Sequence, residues 1–98
     1  MKYFVKAEAF NTITTVPEIT RLRQNVEKQL AVIKSSGKLL YGGSLAGARA
    51  LFFVLEIEKP IDIYNLLGSA IIDAFKIEAY PTMSFEELGE FFKKDTPQ

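Results

Sequence analysis

The chain has 98 residues, of which 48% are hydrophobic and 24% are charged, so it is long enough for one folded domain but not for two. Twelve Lys and Arg residues balance twelve Asp and Glu residues. A neutral chain lacks the excess positive charge with which proteins bind nucleic acid, so no nucleic-acid partner is expected. Cys, His and Trp are absent. Their absence excludes disulfides, thiol nucleophiles, structural zinc sites and Ser-His-Asp triads.

The first third of the chain predicts a strand followed by an amphipathic helix. Apolar and charged residues alternate over residues 1–10, with the period of a half-buried strand. Thr15 and Glu18 have the spacing of a capping box, which indicates that a helix begins there. Apolar residues then recur at intervals of three and four, namely Ile19, Leu22, Val26, Leu30 and Ile33. The helix is predicted to end near Ser35, before Gly37.

The rest of the chain predicts five further elements. In order, they are strands at 38–45 and 48–58, a helix at 60–67 that stops at Gly68, a strand at 71–80, and a helix that begins at Ser84. The resulting βαββαβ order predicts an α+β fold of the ferredoxin-like type, with an antiparallel sheet in strand order 4-1-3-2 and an extra C-terminal helix. We expect a single domain over residues 1–98, ordered to about residue 93, with a frayed tail.

The two faces of the predicted sheet differ in composition. The face expected beneath the helices is almost entirely apolar, with Tyr3, Val5, Ala7, Leu39, Tyr41, Leu51, Phe53, Leu55, Phe75 and Ile77. The other face mixes large apolar residues with charges, and includes Phe4, Lys6, Glu8, Phe10, Leu40, Ser44, Phe52, Val54, Glu56, Lys76, Glu78 and Tyr80. A large exposed apolar surface usually marks an interface or a ligand groove. The simplest cover is the same sheet from a second copy, related by a twofold axis.

A family resemblance supports this arrangement. The segment SLAGARALFFVLEI at residues 44–57 resembles the central hairpin of muconolactone isomerase, and residues 4–6 and 77–78 resemble that family's first and last strands. The resemblance covers most of residues 1–92 and implies the dimeric α+β barrel superfamily, with further association through C-terminal segments. It also implies cofactor-independent proton transfer on an unsaturated lactone. The chain lacks the family's His and Trp residues, and Ser44 stands where the family has a basic residue.

Four charged residues are the candidates for acid–base chemistry. Lys6 and Glu8 share one face of the first strand, and Lys76 and Glu78 share a face of the predicted neighbouring strand. If a second sheet covers them, desolvation moves their pKa values toward neutrality, as a general acid or base requires. Lys6, Glu8 and Glu78 are therefore the predicted catalytic residues. The alternative is a ladder of cross-strand ion pairs that only fixes the register.

The predicted ligand-binding residues are Ser44, Arg49, Phe10, Phe52 and Tyr80. Ser44 follows Gly42 and Gly43, and glycines inside a strand mark a bulge or a close backbone approach. The guanidinium of Arg49 suits a ligand carboxylate, although a surface ion pair is the alternative. Phe10 and Tyr80 are placed at the ends of adjacent strands, where they would wall a pocket or simply pack. Glu8, Glu56 and Glu78 offer oxygen ligands, but without an Asp-rich loop no metal is expected.

Together these features predict a small, cytoplasmic homo-oligomer. It would bind a small organic ligand, such as a carboxylate or lactone, in a barrel pocket and carry out isomerase-type proton transfer without a cofactor. The alternative is a noncatalytic homo-oligomer whose mixed sheet face is only a subunit interface. The longest uncharged stretches have about ten residues, short of the roughly 18 that a membrane-spanning helix needs.

Overall fold

The computed structural model describes residues 1–95, which form four strands and three helices. In chain order these are β1 (Lys2–Ala9), α1 (Val16–Ser35), β2 (Leu39–Ser44), β3 (Ala50–Glu56), α2 (Ile61–Ile72), β4 (Phe75–Pro81) and α3 (Phe85–Asp95). The strands form one antiparallel sheet in the order β2-β3-β1-β4. The predicted α+β fold, its strand order and its extra C-terminal helix are therefore confirmed.

The hydrophobic core lies between one face of the sheet and the helices α1 and α2. Its fully buried side chains come from both layers, with Val5 and Leu55 from the sheet and Ile33, Leu67 and Ile71 from the helices. Burial of an aliphatic side chain of this size contributes about 1.5–3 kcal/mol. The apolar stripe of α1 is thus directed at the sheet, as its spacing predicts.

Helix α2 is longer than predicted, and β4 begins later. The sequence places a helix end at Gly68 and a strand from residue 71, but α2 continues to Ile72 and β4 starts at Phe75. Gly68 does leave the helical conformation, with φ 67° and ψ 172°, and bends α2 rather than ending it. The last turn remains helical because it buries Ile71 completely in the core.

A β-bulge in β2 changes which side chains face the helices. The register with β3 shifts between Leu39 and Tyr41, so one extra residue separates two otherwise regular pairs. A one-residue slip exchanges the faces of every residue after it. Tyr41 therefore pairs with Val54 on the open face, and Ser44 pairs with Leu51 on the helix side. The sequence-based face assignments of Tyr41 and Ser44 were both wrong.

Helix α3 stands apart from the rest of the domain. None of its residues is buried, and it makes the molecule 62 Å long, with a radius of gyration of 16.5 Å against about 13 Å for a compact chain of this size. It extends to Asp95, slightly beyond the predicted end of order at residue 93, whereas the rest of the predicted frayed tail, residues 96–98, lies outside the described residues. None of the helices in residues 1–95 is long and apolar enough to cross a membrane.

Candidate functional site

The charged residues of the open sheet face form a regular pattern of opposite charges. In the register of β1 and β4, Lys6 lies opposite Glu78 and Glu8 lies opposite Lys76. Along β4, the Nζ of Lys76 is 3.8 Å from a carboxylate oxygen of Glu78, and the hydroxyl of Tyr80 donates to the other oxygen at 3.4 Å. The predicted catalytic residues Lys6, Glu8 and Glu78 thus share one surface, with Glu78 held between a cation and a hydroxyl.

An aromatic band crosses the same face, with one ring from each strand: Tyr41, Phe52, Phe4 and Tyr80. The ring centroids of Phe4 and Phe52 are 6.1 Å apart, and those of Tyr41 and Phe52 are 5.7 Å apart. Tyr80 lies opposite Phe4 in the register. Gly43 leaves room for the central ring, because a Cβ there would lie 3.2 Å from the ring of Phe52. The outer rings of the band, Tyr41 and Tyr80, are 66% and 55% exposed.

A groove of about 320 Å³ lies on the other side of the sheet, between α1 and the strands. We call it the α1 groove. Its apolar wall comprises Ile19, Leu22, Val26, Leu30, Leu51 and Phe75. Ser44 and Arg49 line its sheet side, and Arg23 and Glu27 line its helix side. Two predicted ligand-binding residues therefore meet here, but the sheet separates them from Lys6.

Arg49 is fixed by the backbone rather than by an ion pair. Its Nη1 donates to the carbonyl oxygen of Ile13 at 2.9 Å, in the loop that precedes α1. Within residues 1–95 it forms no salt bridge, so the surface ion pair considered from the sequence is not present. The bond occupies one of the five guanidinium donors and holds the side chain at the groove.

Phe10 and Tyr80 do not wall a common pocket within one chain. The amide of Phe10 donates to the carbonyl oxygen of Ala74, before β4 begins, whereas Tyr80 pairs with Phe4 near the start of β1. Because β1 and β4 are antiparallel, the two rings lie at opposite ends of the pair, about 20 Å apart at 3.3 Å per residue. Of the two, only Tyr80 belongs to the aromatic band, together with Phe52.

Neither the depression between α1 and α2 nor the carboxylates of the described residues form a recognisable catalytic or metal site. A larger depression of about 630 Å³ lies between α1 and α2, but it is wide open and lined largely by polar side chains such as Glu18, Arg21 and Asp73. In the described residues no three potential metal-ligating side chains converge. The carboxylates of Glu8 and Glu78 stand among lysines instead.

The sequence did not predict the α1 groove, although it identified the apolar residues of α1 that form the helix side of its wall. The apolar stripe of α1 was assigned wholly to the core, yet Leu22 and Val26 remain partly exposed at the groove. The two glycines of β2 did signal an irregular strand. They could not show that the bulge lies just before them, which is what carries Ser44 to the groove side.

Comparison with models of known protein families and with curated proteins finds no match for this chain.

Proposed function

We propose that the protein is a homo-oligomer that binds a small organic anion in the α1 groove. The observation that carries the proposal is the position of Arg49, anchored at the edge of a cleft of about 320 Å³ that has an apolar wall and, on its helix side, one charge of each sign, Arg23 and Glu27. Small-molecule sites are typically clefts of this size, with apolar walls and a few fixed polar groups. A guanidinium with free donors suits a carboxylate, and the hydroxyl of Ser44 lies on the same side. The chemistry favours a flat apolar body with one acidic group.

The aromatic band supports the oligomeric part of the proposal. Tyr41 and Tyr80 are more than half exposed, and the charges beside them alternate in sign, so this face has little net charge. A surface of this kind suits an identical face across a twofold axis, with two sheets packed about 10 Å apart. Helix α3 offers a second surface for contact between copies.

The resemblance to muconolactone isomerase supports a finer proposal for the space between two such sheets. Lys6, with Glu8 or Glu78, would transfer a proton on an unsaturated lactone held there. The register that opposes Lys6 to Glu78 favours the pair, since the carboxylate would take a proton from one carbon of the lactone and the ammonium of Lys6 would return one to another. Turnover of an unsaturated lactone by Lys6→Met at the wild-type rate would eliminate Lys6 as the proton-transfer residue. Absence of turnover by the wild type would instead favour the noncatalytic alternative.

The groove proposal is tested by measuring the binding of two probes, 1-naphthoate and its neutral amide. The fluorescence anisotropy of the naphthyl group reports the binding of each probe. The chain has no Trp, so protein emission does not interfere when the probe is excited at a wavelength longer than those that tyrosine absorbs. We expect the carboxylate to bind more tightly than the amide. Arg49→Gln should weaken naphthoate binding about tenfold, because a charge-assisted hydrogen bond contributes roughly 1.5–3 kcal/mol. It should leave the amide little affected.

Two control variants separate the groove from the open face. Arg21→Gln removes a guanidinium from α1 outside the groove, and Lys6→Met removes one of the cations of the open face; both should bind naphthoate as the wild type does. If the wild type and Arg49→Gln bound naphthoate with equal affinity, the proposal would be contradicted. Weakening by Lys6→Met instead would move the anion site to the space between the sheets.

A further inference from the structure

We infer that the side chain of Leu22 closes the α1 groove toward the depression between α1 and α2, and that it thereby makes the groove selective for compact ring acids over extended-chain acids. The inference rests on the proposed function, because it takes the groove as the site of a small organic anion. It adds the class of acid that fits the groove and the residue that limits the length of that acid.

Leu22 is the common wall of the two cavities. The groove, of about 320 Å³, lies between α1 and the strands, and the depression, of about 630 Å³, lies between α1 and α2. Within residues 1–95, Leu22 alone lines both cavities. Its side chain is half-buried and packs against the core. A single aliphatic side chain therefore separates the apolar wall of the groove from an open space lined largely by polar groups.

The chain on either side of this wall shows how close the two cavities are. Glu18 and Ile19 are successive residues of α1, and Ala74 and Phe75 are successive residues where β4 begins. In each pair the first residue lines the depression and the second lines the groove. The cavities thus approach each other along both elements, with Leu22 between them. Shortening this side chain would join them beneath α1.

The length of the groove decides which acids gain from it. A carboxylate bound at Arg49 places its apolar body in the groove, and a ring system keeps its carbon atoms close to the carboxylate. A straight chain gains about fourfold in affinity for each CH₂ group that it buries. That gain ends where the chain meets Leu22, because protein interiors resist insertion of additional atoms. Longer acids must then leave their terminal carbons in water.

The test is isothermal titration calorimetry of the full chain with hexanoate, octanoate and decanoate. For the wild type, we expect the affinity to level off along this series. For Leu22→Ala, we expect the preference for decanoate over hexanoate to be at least about tenfold greater than in the wild type, since further CH₂ groups become buried. The affinity for 1-naphthoate should not increase, because this compact acid does not extend past the position of Leu22.

Two further variants separate the role of Leu22 from a general loosening of the fold. Leu30→Ala removes the same side chain from the wall of the groove at a position that does not line the depression, and should leave the chain-length preference unchanged. Leu22→Val shortens the partition with a smaller loss of packing, so it serves if Leu22→Ala does not fold. It should shift the preference toward decanoate in the same direction, by less. Circular dichroism establishes that each variant is folded.

The outcomes distinguish failure of this inference from failure of the ligand proposal. An unchanged chain-length preference in the Leu22 variants, or an equal gain for decanoate in Leu30→Ala, would overturn the inference. If Arg49→Gln weakens the binding of every acid in that case, the anion site still stands. If Leu22→Ala favours decanoate but Arg49→Gln has no effect, the inference stands and the anion site at Arg49 falls. Absence of binding by any acid to the wild type and to Leu22→Ala would remove both.

Discussion

Gly68 is the residue at which α2 changes direction. Its φ of 67° and ψ of 172° lie in a region that is essentially restricted to glycine. The bend frees the carbonyl oxygen of Leu66, and the Nε2 of Gln29 in α1 donates to it at 2.6 Å. The same Gln29 side chain would lie 3.1 Å from a Cβ at Gly68. One glycine thus fixes both the bend and the contact between the two helices.

Gly68→Ala is expected to lower the free energy of unfolding by about 1–3 kcal/mol, because alanine is strained at this φ and its methyl group meets Gln29. Urea denaturation followed by circular dichroism measures the change. Gly89→Ala in α3 is the matched control: its methyl group meets no atom within 4 Å, and alanine is the better helix former. A Gly68→Ala variant as stable as the wild type would show that α2 does not need this conformation.

At the level of single residues, the sequence predicted the open face better than the groove. Alternation places Lys6 and Glu8 on one face of β1, and the structure confirms it, because β1 is regular over its whole length. The same reasoning failed for Ser44 because one additional residue in β2 reverses the alternation. An irregularity of that kind depends on pairing with another strand, which local sequence does not encode.

At the level of elements, the capping-box spacings in the sequence correctly predicted where α1 and α3 begin. The glycine at position 68 predicted a wrong end for α2. Ser84 and Glu87 bond reciprocally, side chain to amide at 3.0 and 3.2 Å, as the capping-box spacing predicts for α3. At the start of α1, the hydroxyl of Thr15 accepts from the amide of Glu18 at 3.3 Å, which is one half of the predicted capping box. The end of α2 depended instead on burial of Ile71 against the sheet, and tertiary packing of this kind overrides a glycine stop signal.

The position of α3 relative to the rest of the domain could not be predicted from its local sequence, for a different reason. A capping box and an apolar stripe establish that a helix forms, but they do not say what the stripe contacts. The apolar stripe of α3, which consists of Phe85, Leu88, Phe91 and Phe92, contains no buried residue in a single chain. Whether and against what this stripe packs is therefore not encoded in the local sequence of α3.

At the level of the whole molecule, the single four-stranded sheet carries large apolar side chains on both of its faces. The helices α1 and α2 cover one face, and the aromatic band lies on the other. A formal net charge of zero gives copies of the chain no long-range repulsion, and the alternating charges beside the band add none locally. The proposed association through this face would bury apolar surface, as formation of the core does.

The sheet-face contact is tested in a chain that carries Phe91→Ser, so that docking of α3 does not also link copies. We expect light scattering to give twice the chain mass of 11.0 kDa for this variant at micromolar concentration. Adding Tyr41→Glu should return the mass to 11.0 kDa, because a twofold axis buries two unpaired carboxylates at once. Adding Tyr64→Glu, at a similarly exposed tyrosine on α2, should leave the dimer intact. A mass that stays at twice 11.0 kDa with Tyr41→Glu would place the interface elsewhere, since Tyr41 is exposed enough that its replacement does not disturb the core.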